Sequence, residues 1–136
     1  MTGILYGLMN SSTLDERNIT HICEDQNAKL PEPRSERENE FLYRLINHTN
    51  KGVLLGLNAK DGGVWRWNSD NSRVTWFNWK RSGPRDSNKY SCVVFRRRKS
   101  PRGAWMDIKC KVLSKKKALR KLKKVLICQR GSGRYQ

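Results

Sequence analysis

Four cysteines and two histidines are the thiol and imidazole side chains of this 136-residue chain that could bind zinc or, for the cysteines, form disulfides. No two cysteines are spaced as C-x-x-C, and His21 and His48 are the two imidazoles. A zinc site is therefore not favoured, and two disulfides are the better interpretation. Four cysteines allow three pairings, and arithmetic alone does not choose among them. The cysteines are Cys23, Cys92, Cys110 and Cys128.

Patterns for enzyme chemistry are absent from the sequence. It contains no G-x-S-x-G, no phosphate loop, no H-E-x-x-H and no paired Cys/His nucleophile. His21 and Glu24 lie one helical turn apart, and an ordinary surface pair accounts for them. The sequence predicts a binding protein that uses no cofactor, and not an enzyme.

Positive charge is concentrated in the second part of the chain. The formal net charge is +17 at pH 7. Residues 1–79 carry nine Lys+Arg against ten Asp+Glu, whereas residues 80–136 carry twenty against two. So many positive side chains repel one another, and such a concentration of charge normally persists in a protein because a negatively charged partner binds it. The candidate partners are anionic or sulfated glycans, glycoproteins of extracellular coats and anionic membrane surfaces, with nucleic acid ranked last.

The basic residues of this part form the predicted polyanion-binding site. They include a dense positive loop between two predicted strands and a lysine-rich segment between the last two cysteines. No metal ligands are predicted. The predicted binding residues are Arg85, Arg96, Arg97, Arg98, Lys99, Arg102, Lys115, Lys116, Lys117, Arg120, Lys121, Lys123 and Lys124.

The lysine-rich segment has two interpretations. Ala118, Leu119, Leu122, Val125 and Leu126 recur at three- and four-residue steps, which is typical of a short cationic amphipathic helix. A solvated loop whose leucines pack down onto the domain is equally compatible, because the segment is too short for a stable isolated helix. The sequence leaves both open.

Two helical patterns precede a series of short strands. The first covers residues 14–23, and the second begins at a capping box of Ser35 and Glu38 and runs to about His48. The predicted buried face of the second helix is Phe41, Leu42, Leu45 and Ile46. Strands are predicted at 4–9, 53–57, 90–95, 105–110 and 125–128. Helices followed by strands and long loops indicate an α+β fold.

The chain is predicted to form one domain, residues 1–130, with a flexible tail at 131–136. Two disulfides predict an oxidising compartment, so that the protein is secreted, extracellular or held in a secretory granule. Sequons at Asn10, Asn18 and Asn47 fit secretion of a glycoprotein. The first nine residues do not read as a leader, and no stretch reaches the length of a membrane span.

Four of the five tryptophans lie between residues 63 and 86. Clustered aromatic residues at strand spacing belong to a core more often than to an exposed binding platform. Because buried aromatic rings also contribute large apolar areas, we expect these tryptophans inside the fold. Trp76 is the one expected to be most exposed.

Taken in order, these segments resemble the C-type lectin-like domain. The resemblance covers about residues 5–130, with matching spacing except near the end, where the lysine-rich segment replaces a shorter connection. The matching segments are H-I-C at 21–23, A-x-L at 28–30, S-E-R-E-N-E-F-L at 35–42, L-L-G-L at 54–57, W-x-W at 65–67, N-W at 78–79, Pro84, a C-V-V strand, a W-M-D strand and the last two cysteines.

The resemblance implies two helices, mixed or antiparallel sheets and a long-loop region. It also implies which cysteines pair: Cys23 with Cys128, and Cys92 with Cys110. The tryptophans would pack the upper core and pin the long loops.

Sugar-binding members of that family hold calcium through a Glu-Pro-Asn or Gln-Pro-Asp triplet and a W-N-D strand. At those places this chain has Gly83-Pro84-Arg85 and Trp105-Met106-Asp107. Calcium prefers roughly six to eight oxygen ligands, and a fixed positive charge repels it. The departures predict that the sugar-type calcium site is lost. The resemblance further implies that Pro84 is cis.

The leading prediction is a secreted, calcium-independent lectin-like protein that recognises anionic glycans or glycoproteins through its basic C-terminal half. The alternative is a cationic effector, similar to an egg-coat lysin, an antimicrobial lectin or a granule toxin, that disrupts an envelope or membrane without cleavage. The apolar stripe at 118–126 distinguishes the two. A conventional calcium-dependent sugar lectin is disfavoured by the missing ligands.

Overall fold

A computed structural model describes residues 5–8, 23–46, 53–96, 101–114 and 127–130. The described part contains six strands, one α-helix and two short 3-10 turns. No helix in it is long and apolar enough to cross a membrane. In chain order the elements are β1 (Leu5–Leu8), a 3-10 turn (Glu24–Gln26), α1 (Glu36–Leu45), β2 (Val53–Asn58), β3 (Arg66–Trp67), β4 (Cys92–Phe95), β5 (Trp105–Ile108), a second 3-10 turn (Cys110–Ser114) and β6 (Ile127–Arg130).

The strands form two antiparallel sheets. One has the order β3-β2-β4-β5, and the other pairs β1 with β6. In the β4–β5 ladder, Cys92 lies opposite Ile108 and Phe95 lies opposite Trp105. The backbone N–H of Arg96, just after β4, donates to the carbonyl of Ala104 at 2.8 Å. Residues 96 and 104 therefore mark one end of this ladder, and residues 91 and 109 mark the other.

Alternation of side chains along the four-stranded sheet divides the core into two clusters. Neighbours along β4 such as Val93 and Val94 belong to different clusters. The first contains Cys23, Leu30, Leu54, Cys92, Val94 and Cys128. The second contains the buried hydrophobic residues of α1 and two tryptophans. It comprises Leu42, Tyr43, Ile46, Val53, Leu55, Leu57, Trp67, Val74, Val93, Phe95, Trp105 and Ile127.

The two disulfides are those that the family resemblance implied. Cys23 pairs with Cys128 across a sequence separation of 105, and Cys92 pairs with Cys110 across 18. The first bridge joins the residue before the early 3-10 turn to β6. The second joins the start of β4 to the residue that opens the late 3-10 turn. On the chain-entropy model they contribute about 5 and about 3 kcal/mol of folding stability respectively.

The start of α1 is capped as the sequence predicts. The Ser35 hydroxyl accepts a hydrogen bond from the Glu38 backbone N–H at 3.2 Å. The Glu38 carboxylate accepts in turn from the backbone N–H of Arg34 at 2.9 Å. Two N–H groups without helical partners are thereby satisfied, and Glu36 and Glu38 place negative charge at the positive end of the helix dipole.

The predicted buried face of α1 is half wrong. Leu42 and Ile46 are buried, but Phe41 is 42% exposed and Leu45 is 44% exposed. The buried stripe instead joins Asn39, Leu42, Tyr43 and Ile46, which follow the i, i+3, i+4, i+7 pattern of one helix face. The prediction was based on hydrophobicity alone. The fold instead buries Asn39 and Tyr43, because both have partners on the segment around residues 102–105.

Several predicted boundaries differ from the structure. The predicted helix at 14–23 lies outside the described residues apart from Cys23, and the continuation of the second helix beyond Ile46 lies outside them too. The last described strand, Ile127–Arg130, ends two residues beyond the predicted end at 128, and residues 125–126 lie outside the described part. All the described strand pairs are antiparallel, and one isolated parallel bridge joins Trp79 to Trp105.

Candidate functional site

Three of the thirteen predicted polyanion-binding residues lie in the described part of the chain: Arg85, Arg96 and Arg102. The others lie outside the described residues, as do the three sequons and the apolar stripe at 118–126. They are Arg97, Arg98, Lys99, Lys115, Lys116, Lys117, Arg120, Lys121, Lys123 and Lys124.

Arg102 lies against α1 and is partly neutralised there. Its Nη2 is 3.1 Å from Oε2 of Glu40, and its guanidinium lies 4.5 Å from the centre of the Tyr43 ring. Glu40 also accepts a hydrogen bond from Nε of Arg44 at 3.0 Å. Since 55% of the Arg102 side chain remains exposed, the pair with Glu40 is a surface ion pair of small energy that leaves the arginine open to other anions.

Arg85 is held by a buried carboxylate on β5. The Gly83–Pro84 peptide bond is cis, as expected, and the next residue is Arg85. Its backbone N–H donates to Oδ2 of Asp107 at 2.6 Å, and its Nε donates to Oδ1 at 3.3 Å. Its Nη2 donates to the Asp107 carbonyl. The Asp107 side chain is fully buried, so Arg85 supplies the positive charge that such a carboxylate needs.

An aromatic ring lies beside this ion pair. The Arg85 guanidinium carbon is 3.6 Å from the centre of the Tyr90 ring, and the Lys109 ammonium nitrogen is 5.7 Å from the same centre. Cations are attracted to the faces of aromatic rings at these distances. Arg85, Tyr90 and Lys109, with Asp107 beneath them, are called the Arg85 cluster below.

Three basic residues lie toward the ends of the β4–β5 ladder. Arg96 and Arg102 flank the end of the β4–β5 ladder where Phe95 pairs with Trp105. Lys109 lies beyond the opposite end, where Cys92 pairs with Ile108. The ladder spans three residue steps, or roughly 10 Å. Arg96 and Arg102 therefore lie toward a different end of this ladder from Lys109.

The residues that the family resemblance assigns to calcium do not fit that ion. Both carboxylate oxygens of Asp107 already accept hydrogen bonds from Arg85, and Gly83 has no side chain to contribute. Met106 packs against the first core cluster, on the opposite face of β5 from Asp107. Within the described ranges, no group of three or more His, Cys, Asp or Glu side chains could hold a metal ion.

The tryptophans form part of the core, as predicted. Trp105 is 0% exposed and Trp67 is 3% exposed, and their rings meet edge to face with centres 6.2 Å apart. Trp65, Trp76 and Trp79 are partly buried and pack against the second core cluster. The ring of Trp76, expected to be the most exposed, lies 5.6 Å from that of Trp105 in an edge-to-face contact. Trp76 and Trp79 hold the long loop between β3 and β4 on the sheet, and the tryptophan rings do not form a free stacking platform.

A second ionic cluster joins the segment before α1 to the turn after β3. Arg34 donates to Glu32 at 2.7 Å and to Asp70 at 3.1 Å. The pKa of Asp70 lies well below its usual value because the Ser72 hydroxyl and backbone N–H donate to it, with Arg34 adding to the effect. Burial alone would lower the pKa of Arg34, but its bonds to Glu32 and Asp70 outweigh burial and raise it. The cluster ties two loops together and leaves little free charge.

A cleft of about 290 Å³ lies apart from the Arg85 cluster. It is lined by four leucines, Trp67 and three asparagines, two of which, Asn58 and Asn68, hydrogen bond to each other at 2.7 Å. Its charged residues are Lys60 and Glu24, which balance in sign. The cleft therefore lacks the excess of cations that an anionic ligand requires.

Tyr90 and Lys109 were missed by the sequence reasoning, although a signal for them was present. Tyr90 lies two residues before Cys92, and Lys109 directly precedes Cys110. Since these cysteines were expected to pair, the residues beside them could have been expected to lie close together. The contact of Arg102 with Glu40 had no comparable signal, because it joins a loop to a helix far away in the sequence.

Comparison with known proteins agrees with this architecture. Residues 13–116 match the model of the Lectin C-type domain family. The chain is 30% identical over 113 residues to human C-type mannose receptor 2, covering 82% of this chain and 7% of the receptor. It is 29% identical over 92 residues to a perlucin-like protein of Mytilus galloprovincialis, covering 65% of this chain and 58% of that protein. The chain thus spans a small part of the receptor it matches.

Solved structures share the fold. The carbohydrate-recognition domain of the mouse scavenger receptor C-type lectin superposes with a TM-score of 0.68 at 18% identity, covering 100% of this chain and 94% of that one. The C-type lectin domain of murine dendritic cell inhibitory receptor 2, solved in complex with an N-glycan, superposes with a TM-score of 0.69 at 20% identity, covering 95% and 91%. With its disulfides, its sheet order and the family match over most of its length, the chain belongs to the C-type lectin domain family.

Proposed function

We propose that this chain is an extracellular, calcium-independent lectin-like domain that binds anionic glycans or glycoproteins through its basic C-terminal half. The observation that carries the proposal is Arg85, whose side chain and backbone engage both carboxylate oxygens of Asp107. A cation fixed on this carboxylate argues against a metal-bridged sugar and in favour of an anionic ligand.

The charge of Arg85 disfavours a calcium ion at Asp107. A calcium ion bound to Asp107 would lie within a few ångströms of the Arg85 guanidinium, whose Nε is 3.3 Å from Oδ1. At an effective dielectric constant of about 20, repulsion between a divalent ion and a unit charge at such a distance is several kcal/mol before solvent screening. For calcium to bind there, Arg85 would also have to give up its backbone and side-chain hydrogen bonds to Asp107.

The argument for an anionic ligand is the imbalance of charge. Residues 80–136 contain twenty Lys+Arg, and their two acidic residues are Asp86 and Asp107. The second of these is already committed to Arg85, and Arg102 draws its acidic partner from α1. Most of the basic residues therefore cannot be neutralised within their own half of the chain. Sulfate and carboxylate groups of glycans are suitable ligands because they accept charge-assisted hydrogen bonds from arginine and lysine.

A glycan is favoured over other polyanions by the family and by the cysteines. The dendritic cell receptor domain with the same fold was solved with an N-glycan. Both disulfides of this chain fit an oxidising, extracellular environment, where sulfated and sialylated glycans occur and nucleic acid is scarce.

The test is retention of the full chain on a sulfated polysaccharide and on a neutral mannan, each in calcium and in chelator, with a salt gradient. We expect retention on the sulfated matrix alone, unchanged by chelator and weakened by salt, because salt screens exposed charges. Changing Lys115, Lys116 and Lys117 to Glu should release the protein at much lower salt.

A matched control keeps net charge from explaining the result. Changing the exposed residues Arg37, Lys60 and Arg73 to Glu alters net charge by the same amount in the neutral half of the chain. This variant should elute close to the wild type. If both variants lose retention equally, overall net charge alone explains the binding. Calcium-dependent elution by a neutral sugar would overturn the proposal.

The cationic-effector alternative rests on residues outside the described part of the chain. It predicts leakage from anionic vesicles that disappears when Leu119 and Leu122 are changed to Ser. No described contact favours it, and vesicle leakage without binding to sulfated glycan would replace the present proposal with it.

A further inference from the structure

We propose that the Arg85 cluster is a preorganised subsite for one sulfate or carboxylate group, in which Asp107 positions Arg85, and Arg85 and Lys109 bind the anion. The inference rests on the proposed function and assigns the place where a glycan's charged group binds. One edge of the Arg85 guanidinium is bound to Asp107, and the side chain remains partly exposed.

The guanidinium of Arg85 has one edge bound to Asp107. Nε and Nη2 donate to the carboxylate and carbonyl of Asp107. Among the described residues, Nη1 has no hydrogen-bond partner. The Arg85 side chain is 42% exposed, so a ligand can reach part of it while its bound edge stays fixed on Asp107.

Three contacts restrict how this side chain can move. Its own backbone N–H is bound to Asp107 at 2.6 Å, its guanidinium is bound to the same residue, and the Tyr90 ring lies 3.6 Å from its guanidinium carbon. A free surface arginine loses considerable rotamer freedom on binding, whereas a side chain already held in place loses little. The cluster therefore offers affinity that an isolated surface arginine does not.

Lys109 supplies the net charge of the subsite. Asp107 balances Arg85, so that pair alone attracts an anion weakly. The Lys109 ammonium lies 5.7 Å from the Tyr90 ring that Arg85 also contacts. Lys89 is exposed on the same loop and offsets the neighbouring Asp86. An anion between Arg85 and Lys109 would receive one hydrogen bond from each cation, which is the chemistry used for sulfate and carboxylate groups.

The geometry also explains why this end of the β4–β5 ladder is favoured over the other for a defined ligand group. Arg102 at the other end shares Glu40 with Arg44, and Glu40 is a partly exposed carboxylate on a helix surface. Arg85 is anchored instead on a carboxylate with no exposed surface. We expect the Arg102 end to add general attraction to a long polyanion and the Arg85 cluster to bind a single group.

The test uses a sulfated disaccharide, too short to span both ends of the ladder, with its desulfated uronic acid counterpart and inorganic sulfate as further probes. Affinity is measured by calorimetry for the wild type and three variants. Lys109→Gln removes one exposed charge. The double variant R85Q/D107N removes the ion pair while leaving the net charge of the chain unchanged. Arg37→Gln, on the exposed face of α1, is the control for Lys109→Gln.

We expect Lys109→Gln and R85Q/D107N each to weaken binding of the sulfated disaccharide about tenfold, a loss of one strong hydrogen bond or ion contact. Arg37→Gln should change it less than about twofold. Because R85Q/D107N can disturb the fold, Arg85→Lys provides a second variant that keeps the charge and loses the planar group; it should also weaken binding. Near-ultraviolet circular dichroism checks that each variant is folded.

The outcomes separate the subsite from the proposed function. Wild-type binding of a sulfated polysaccharide that none of the cluster variants weakens would overturn the subsite and leave the proposed function standing. No binding of any sulfated probe would overturn both. Binding of the desulfated uronic acid probe with equal affinity and equal sensitivity to Lys109→Gln would support the subsite with a carboxylate as its ligand. Loss of binding on desulfation would support it with sulfate.

Discussion

Replacing Asn39 with Ala should destabilise the domain through a single buried hydrogen bond. Asn39 is 4% exposed on α1, and its Oδ1 accepts from the indole N–H of Trp105 at 2.8 Å. Its Nδ2 donates to the carbonyl of Gly103 at 3.1 Å. The Gly103 carbonyl also accepts from Nδ2 of Asn78 at 2.9 Å, so it keeps a donor in the variant. The Trp105 indole N–H, which is fully buried, keeps none.

The expected loss of stability follows from this difference, since the Gly103 carbonyl keeps a donor and the Trp105 indole N–H loses its acceptor. Leaving a buried donor unsatisfied costs about 1–3 kcal/mol, and the lost bond to Gly103 with the small space left by the side chain adds about 1 kcal/mol. Asn39→Ala should therefore cost about 2–4 kcal/mol of unfolding free energy. For a chain of this length that corresponds to a fall in Tm on the order of 10 °C. Asn68→Ala, at an exposed position, is the control and should change stability by less than about 1 kcal/mol.

A double-mutant cycle with Trp105→Phe isolates the bond. Phenylalanine has no N–H to leave unsatisfied, so Asn39→Ala should cost only about 1 kcal/mol in that background. Urea denaturation of the four proteins, with disulfides intact, should give a coupling energy of about 1–3 kcal/mol. If Asn39→Ala costs the same in both backgrounds, the hydrogen bond is not the reason for its burial and the reasoning is refuted.

Three further predictions concern the core and the loops. Changing Cys92 and Cys110 together to Ala should lower the unfolding free energy by about 3 kcal/mol, as measured by urea denaturation, and an unchanged midpoint would contradict the chain-entropy argument. Gly103→Ala should lower Tm, because its φ is +64° and an added Cβ would lie 2.9 Å from the Phe95 ring; unaltered melting would show that the loop relaxes freely. The depressed pKa of Asp70, caused mainly by hydrogen bonds from Ser72 and then by Arg34, implies stabilisation that is present above about pH 4 and lost as pH falls through the folded pKa. The stability advantage of the wild type over Asp70→Asn should therefore shrink below about pH 4, and a pH-independent difference would contradict the depressed pKa.

Much of the architecture followed from local patterns in the sequence. Ser35 and Glu38 predicted the start of α1 because a capping box acts within one helical turn. Short apolar runs located β2, β4 and β5 to within a few residues. The order of cysteines, glycines and tryptophans indicated the family, and through it the two disulfides. The charge asymmetry between residues 1–79 and 80–136 follows from the sequence alone, because it depends only on residue types.

Other features depended on contacts between distant segments. Hydrophobicity suggested Phe41 and Leu45 for the inner face of α1, but that face contains Asn39 because Trp105 needs an acceptor. No local rule predicts such a bond, because its two residues are 66 positions apart.

The candidate site shows the same division between sequence and structure. The sequence alone determined that basic residues dominate residues 80–136, that the calcium triplet is replaced by Gly83-Pro84-Arg85, and that Asp107 remains on the strand. Only the tertiary structure decided that Arg85 binds that carboxylate beside Tyr90 and Lys109, and that Arg96 and Arg102 lie at the other end of the ladder. The physical reason is that charge and residue type are written along the chain, whereas the pairing of charges depends on how β4, β5 and the long loop pack together.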